Sequence, residues 1–334
     1  MTQHDIAKRL NVARSTVVNF LREARELGIV DIRVDGNSLS SSNLAAQLKD
    51  AFGLEDVYIA RKLANSGDGA EEESLRQLGR IGATAMRDLL KPGDKLGIAW
   101  GVPVQTIGDH LTYNPIEDVR VYQMIGSINT DLIPASEKCT VDIATKLGAQ
   151  CFTLHAPALA STPDIADILT AEPTIAAQMD ALRHLDLVVA SIGSVADTTP
   201  MAVAKMLTLK ELGAARRAGA AGILCCRFIN ADGERMEASP NDRVIAAEPE
   251  AIRRAKRRLL IVDGEDRLDA TLAAIRGGYV THLCVGETLA SMLVAKGATK
   301  SSAAQSGSEQ PEPPGDSMAR LSGRPERKRK QTAH

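Results

Sequence analysis

Hydrophobic and polar positions divide this chain into a helical head, a polar linker, a long stretch of alternating strand and helix patterns, and a polar tail. In the head, Ile6, Ala7 and Leu10 share one helical face. Val17, Phe20, Leu21, Ala24 and Leu27 repeat at the same spacing. Asn11 lies between the two runs and tolerates the left-handed backbone of a tight turn. Val12 is placed to plug the angle between the helices, and Gly28 stands at a helix-stop position. Residues 29–34 (IVDIRV) alternate like a short strand.

Residues 35–43 (DGNSLSSSN) have the composition of a linker. From residue 44 to about 296, short apolar runs predict strands at 57–60, 95–99, 119–125, 151–154, 185–192, 222–227, 258–262 and 282–285. Helical patterns fall at 75–90, 104–110, 138–147, 164–170, 175–181, 202–212, 249–255, 268–275 and 287–294. This alternation predicts an α/β domain, a mostly parallel, doubly wound sheet with helices on both faces. Residues 297–334 lack apolar periodicity and end in a basic run (RPERKRK), so disorder is expected there. That run either touches nucleic acid or is simply solvated.

Composition narrows the function classes. Apolar residues make up 44% of the 334, enough for a sizeable core, but aromatics are only 3%, so Ala, Leu, Ile and Val fill it. The formal net charge of −2 means that any nucleic-acid contact comes from a local patch. The five cysteines have no metal-ligand spacing and read as free thiols of a reducing cytoplasm. No apolar run is long enough to span a bilayer, which takes roughly 18 residues. A cytoplasmic protein with no membrane partner, no metal and no cofactor is expected.

The head carries the first candidate chemistry. A small residue, a leucine, a turn residue and a valine, followed by a second valine five positions on, match helix-turn-helix packing. The second helix would lead into a major groove of double-stranded DNA. Gln3, Arg14, Ser15, Thr16, Asn19 and Arg22 are the candidate contacts. Asn19 suits an adenine edge and Arg14 a guanine or a phosphate, whereas Ser15 and Thr16 suit phosphates. An ordinary helical hairpin would show the same spacing.

The chain resembles the SorC family of bacterial sugar-responsive transcription regulators over about residues 2–295. The likeness rests on Gln3-x-x-Ile6-Ala7-x-x-Leu10-x-Val12-x-Arg14-Ser15-Thr16-Val17 and Ala24-Arg-Glu-Leu-Gly-Ile-Val30. Further on come Leu96-Gly-Ile-Ala-Trp-Gly101, Ala156-Pro157, Ile192-Gly-Ser194, Phe228-Ile-x-x-Asp-Gly233, Thr281-His-Leu and Glu287. The strand-like run 29–34 after the second helix fits a winged-helix-like head, and the resemblance implies an effector domain related in fold to sugar-phosphate isomerases. It also implies a sugar or sugar-phosphate effector, and homodimers or homotetramers on operator DNA. Asn19 and Arg267 stand where the family often has Arg and Lys, and Gly286 stands where it often has Asp. The family usually has one more helix before the motif, and here Met1 sits almost on top of it; a DNA-binding-deficient remnant is therefore a further reading.

Ligands of open parallel sheets sit at the carboxyl ends of the strands. Candidate effector contacts there are Gly97, Trp100 and Gly101, then Gly126 and Ser127, then Gly193 and Ser194. Arg267 could clamp a phosphate as a fork, and Glu287 joins them from the family pattern. Each glycine turn is also ordinary strand-to-helix geometry. The rival class is a sugar-phosphate isomerase-like enzyme. Asp131, Asp142, Asp197, Glu287 and His155 would be its candidate bases, but no pair has a recognisable catalytic spacing.

Overall fold

The computed structural model describes residues 3–10, 12–26, 43–61, 70–128, 135–237 and 239–306. Its strands are β1 (Asp56–Ala60), β2 (Lys95–Ile98), β3 (Arg120–Gln123), β4 (Gln150–Phe152), β5 (Leu187–Ala190), β6 (Ile192–Gly193), β7 (Ala220–Leu224), β8 (Arg227–Asn230), β9 (Arg257–Val262) and β10 (His282–Gly286). Seven of them form one sheet in the order β4-β3-β2-β5-β9-β10-β1, with every neighbouring pair parallel. The central strands β5 (LVVA) and β10 (HLCVG) are buried along their whole length. A parallel sheet covered by helices requires such unbroken apolar runs. The expected architecture is therefore present, and the strands expected between residues 44 and 296 have counterparts, except that 185–192 is divided into β5 and β6 and 222–227 spans the turn between the antiparallel strands β7 and β8.

Winding outward from β2, the chain runs through β3 to β4 on one side and through β5, β9 and β10 on the other. The reversal between β2 and β5 opens a crevice at their carboxyl ends. A second, antiparallel sheet, β6-β7-β8, stands beside it.

Local chemistry explains where boundaries shift. Pro163, Pro173, Pro200 and Pro249 each occupy the first residue of a helix. There proline's fixed φ is already helical and its missing N–H costs nothing. The single helix expected over 202–212 is two, Pro200–Val203 and Leu209–Arg217. Lys205 at φ 56 breaks the run. Thr208 then caps the second helix in a reciprocal box: Glu211 N–H donates to Thr208 Oγ1 (3.2 Å) and Thr208 N–H to Glu211 Oε2 (2.8 Å). Helix Asn43–Phe52 covers β1 where no element was expected and takes Asn43 out of the linker. The last helix, Glu287–Ser306, runs ten residues into the expected disordered tail, and residues 307–334 lie outside the described ones.

Arg227 fastens the small sheet to the body. Its buried guanidinium donates to the carbonyls of Val244 (3.1 Å), Ala246 (3.2 Å) and Ala247 (3.1 Å) and to Glu248 Oε1 (2.7 Å). Asn241 adds a paired clamp on Phe228, accepting its N–H and donating to its carbonyl.

The head contains α1 (Gln3–Leu10) and α2 (Arg14–Glu26), which pack together. Ala7 and Val17 are buried, and Val12 N–H donates to Ala7 O (3.1 Å) across the turn. Leu10 and Phe20, expected on the packed face, are instead 60% and 55% exposed. Two short helices crossing at a small residue can cover little more than that crossing point. The expected strand 29–34, Gly28, Leu27 and linker residues 35–42 lie outside the described residues, as do the side chains of Leu21 and Ala24.

Candidate functional site

The crevice between β2 and β5 holds a cavity of about 80 Å³. At roughly 10–15 Å³ for each water-sized occupant, it takes a small molecule of several heavy atoms. Trp100, Gly101, Val102 and Pro103 approach from the end of β2, and Ser191, Ile192 and Gly193 from the end of β5. Thr199, Pro200 and Met201 form a further wall, and the tip of the β7–β8 hairpin closes the floor with Ile223, Cys225 and Cys226. Arg267 stands at the rim.

Gly101 is the N-cap of helix Val102–His110 at φ 147 and ψ 157, a conformation nearly restricted to glycine. That helix has no side-chain cap, so its first-turn amides keep their capacity for an anion. Pro103 removes one of those donors. Arg267 supplies the cationic group. Its Nη1 donates to Asp263 O (2.5 Å) and lies 3.4 Å from Asp266 Oδ1; Nε and Nη2 make no hydrogen bond among the described residues. Asp266 is itself held by Ser194 Oγ at 2.8 Å. Asp263 accepts from Ser74 Oγ (2.9 Å) and from Gly264 N–H (2.8 Å). A fork with a free edge, beside a helix N-terminus, is an arrangement for a small anion or a polar ring.

Four of the nine expected contacts, Trp100, Gly101, Gly193 and Arg267, line this cavity. The other five do not, each for a local reason. Gly97 lies within β2, where a Cβ would stand 2.5 Å from Leu185 Cδ1, so its smallness serves packing. Gly126 is pressed against the 156–157 backbone, 2.5 Å from Ala156 O by the same measure. Ser127 spends its main chain on Ala156 O (2.7 Å) and Ala158 N (3.0 Å). Ser194 is turned to Asp266. Glu287 opens the last helix away from the cavity wall. Gly286 before it has its side-chain space filled by Asp263, whose Oδ1 would be 2.1 Å from a Cβ.

Eleven lining residues were not among the expected contacts, Ser191, Thr199, Met201, Cys225 and Cys226 among them. Nothing marked the cysteines, because positions 225–226 lack the Asn-Gly or Asp-Gly that announces a tight hairpin. Burial pushes both thiols up to about 12, and both are neutral at pH 7.

No carboxylate or imidazole lines the cavity among its described residues. Asp142 is occupied by Lys138 and by Gln105 Nε2 (2.8 Å), and Asp197 by Arg216 (2.9 Å). His155 is exposed beside Thr153, and Asp131 lies outside the described residues. A general base, which isomerase chemistry needs, is missing from this wall.

On the head, Arg14, Ser15 and Asn19 are exposed along α2, and Thr16 is half-buried. Gln3 and Arg22 lie on α1 and α2, with their side chains outside the described ones.

The sequence matches the Sugar-bind family of sugar-binding domains over residues 37–295. It is 32% identical over 295 residues to the uncharacterized transcriptional regulator YjhU of Escherichia coli (strain K12), covering 88% of this chain and 90% of that one. The sorbitol operon regulator of Klebsiella pneumoniae is 29% identical over 301 residues, covering 88% and 93%. The crystal structure of full-length SorC from Klebsiella pneumoniae superposes with a TM-score of 0.73 at 27% identity, covering 88% of this chain and 94% of that one. These relatives are transcription regulators and not enzymes. No helix among the described residues is long and apolar enough to cross a membrane. The family match, the parallel sheet and its crevice agree, and the chain belongs to the SorC family of sugar-responsive bacterial transcription regulators.

Proposed function

We propose that residues 1–34 bind double-stranded operator DNA and that a sugar or sugar phosphate in the domain spanning residues 44–296 controls that binding. The observation that carries this reading is the cavity between β2 and β5, where Arg267 and an uncapped helix N-terminus face a mostly apolar wall that also carries the hydroxyls of Ser191 and Thr199. Trp100, Gly101, Gly193 and Arg267 are the proposed effector contacts. Arg14, Ser15, Thr16 and Asn19, with Gln3 and Arg22, are the proposed DNA contacts. Relatives named for the sorbitol operon and for deoxyribonucleosides support a carbohydrate-derived effector. The protein acts in the cytoplasm as a homodimer or homotetramer. Two or more copies present paired recognition helices, and the effector sets their spacing.

A mobility shift tests this on the DNA upstream of the protein's own operon, at low salt, with and without a panel of sugars and sugar phosphates. A retarded complex whose midpoint moves with one ligand is expected, from a species that light scattering finds to be dimeric or larger. An intact oligomer giving no shift would refute the reading.

A further inference from the structure

The β7–β8 hairpin turns through Cys225 and Cys226. A two-residue turn of this hand needs positive φ at both central positions and favours Asn-Gly. Here φ is 46 at Cys225 and 63 at Cys226. Left-handed backbone is unfavourable for a residue with a Cβ. Side chains retained at such a cost cluster at functional positions. Both thiols are free, buried to 5% and 4% exposure, and part of the cavity floor. The other three cysteines, Cys139, Cys151 and Cys284, do not line the cavity.

The two thiols sit on consecutive residues, whose Cα atoms are about 3.8 Å apart, and both belong to the lining of the same cavity. The rest of the lining includes Ile125, Ile192, Met201 and Ile223, with the hydroxyls of Ser191 and Thr199. Soft thiols bind a soft centre in preference to neutral hydroxyls, and the apolar residues suit an apolar substituent on it. Thiols that stay neutral at pH 7 are slow in disulfide exchange, which needs the thiolate. Chemistry in which the incoming ligand removes the proton itself remains open to them.

We propose that Cys225 and Cys226 form a dithiol site for trivalent arsenicals, entered through the cavity between β2 and β5. With a monosubstituted arsenic(III) oxide, each sulfur forms one As–S bond. The two S–H protons leave with the arsenic-bound oxygen as one water. Arsenic stays trivalent, so no oxidant or reductant takes part. The arsenical and any effector of this cavity would exclude one another, but the site itself rests on the thiols alone.

The full-length chain is titrated with phenylarsine oxide at pH 7.5. Intact mass, a denatured thiol count and a protease map are read on the same samples. The expected result is one phenylarsenic group per chain and loss of two of the five thiols. The adduct falls on the peptide containing residues 225–226, and a small dithiol reverses it. C225S and C226S each bind about 100-fold more weakly, because one-point attachment replaces chelation. Should either variant not fold, the wild-type map decides by itself. An adduct on Cys139, Cys151 or Cys284, an unchanged thiol count at one equivalent, or undiminished binding by both folded single variants would overturn the proposal.

Discussion

Replacing Gly101 by alanine separates backbone strain from steric fit at the cavity mouth. A Cβ built there would meet only Ser191 Cβ at 3.6 Å and Pro103 Cδ at 3.7 Å, which are ordinary contacts. The whole cost therefore comes from holding a non-glycine residue at φ 147. Such backbone regions cost about 1–3 kcal/mol. Alanine also restricts the unfolded chain, which returns roughly 0.4–1 kcal/mol. The difference of the midpoints is a net loss of about 1.3 kcal/mol, within bounds of about 0 and 2.6 kcal/mol. At about 2–4 °C per kcal/mol for a domain of this size, Tm falls by about 3–5 °C. Thermal and urea unfolding of the ligand-free protein measure this, with the denaturant m-value unchanged. Higher stability would refute the argument, because it would mean that the turn at 101 accepts a side chain without strain.

The other expectations use different parts of the molecule. Gly193→Ala places its methyl 3.4 Å from Thr199 Oγ1 and 3.6 Å from Ile223 Cβ, on backbone that asks for no special φ. Stability should change by less than about 0.5 kcal/mol, while calorimetric titration of the effector shows affinity about tenfold lower, as overpacking of a filled cavity costs about 1–3 kcal/mol. Burial of His282 lowers its imidazole pKa below 6.5, and the Glu55 carboxylate at 3.8 Å only partly opposes this. Its unfolded form then binds the proton more readily than the folded form, so the His282 contribution is complete above about pH 6.5 and is lost as pH falls through the folded value. Unfolding curves across pH 7.5 to 5 should show that decline, and His282→Gln should flatten it. Asn19→Ala should leave the thermal transition unchanged and weaken operator binding about 5- to 150-fold, with relaxed preference at one base pair in a competition mobility shift.

Sequence patterning exposed the sheet because parallel strands bury both faces: runs such as Leu187–Ala190 and Arg257–Val262 stand out against polar surroundings. Elements were misplaced where a single side chain decided the geometry. Thr208 looks like one more helical position until its hydroxyl meets the Glu211 amide. Cys225 and Cys226 carry none of the residues that announce a tight hairpin, so β7 and β8 read as one strand with its neighbours. The lining of the candidate cavity was partly legible. Trp100, Gly101, Gly193 and Arg267 follow from the rule that ligands meet strand ends. Gly97 and Gly126 share the same composition but serve close packing, and only the neighbours across the fold distinguish a glycine that opens on the cavity from one that admits Leu185 or the 156–157 backbone. Phe20 shows the converse: helical periodicity marked it as core, yet the crossing of α1 and α2 leaves it on the surface.

The carboxylate of Asp263 standing where a side chain at 286 would go ties two positions, far apart in the chain, into one evolutionary unit. Neither can drift alone. Any residue larger than glycine at 286 collides with the carboxylate that Ser74 and the Gly264 amide hold in place. Losing that carboxylate, in turn, opens room that a side chain at 286 can reoccupy. Homologous chains should therefore exchange the acidic group between the two sites as a pair. In a library randomised at 263 and 286, the survivors should be those that place one side chain, and never two, in the shared space.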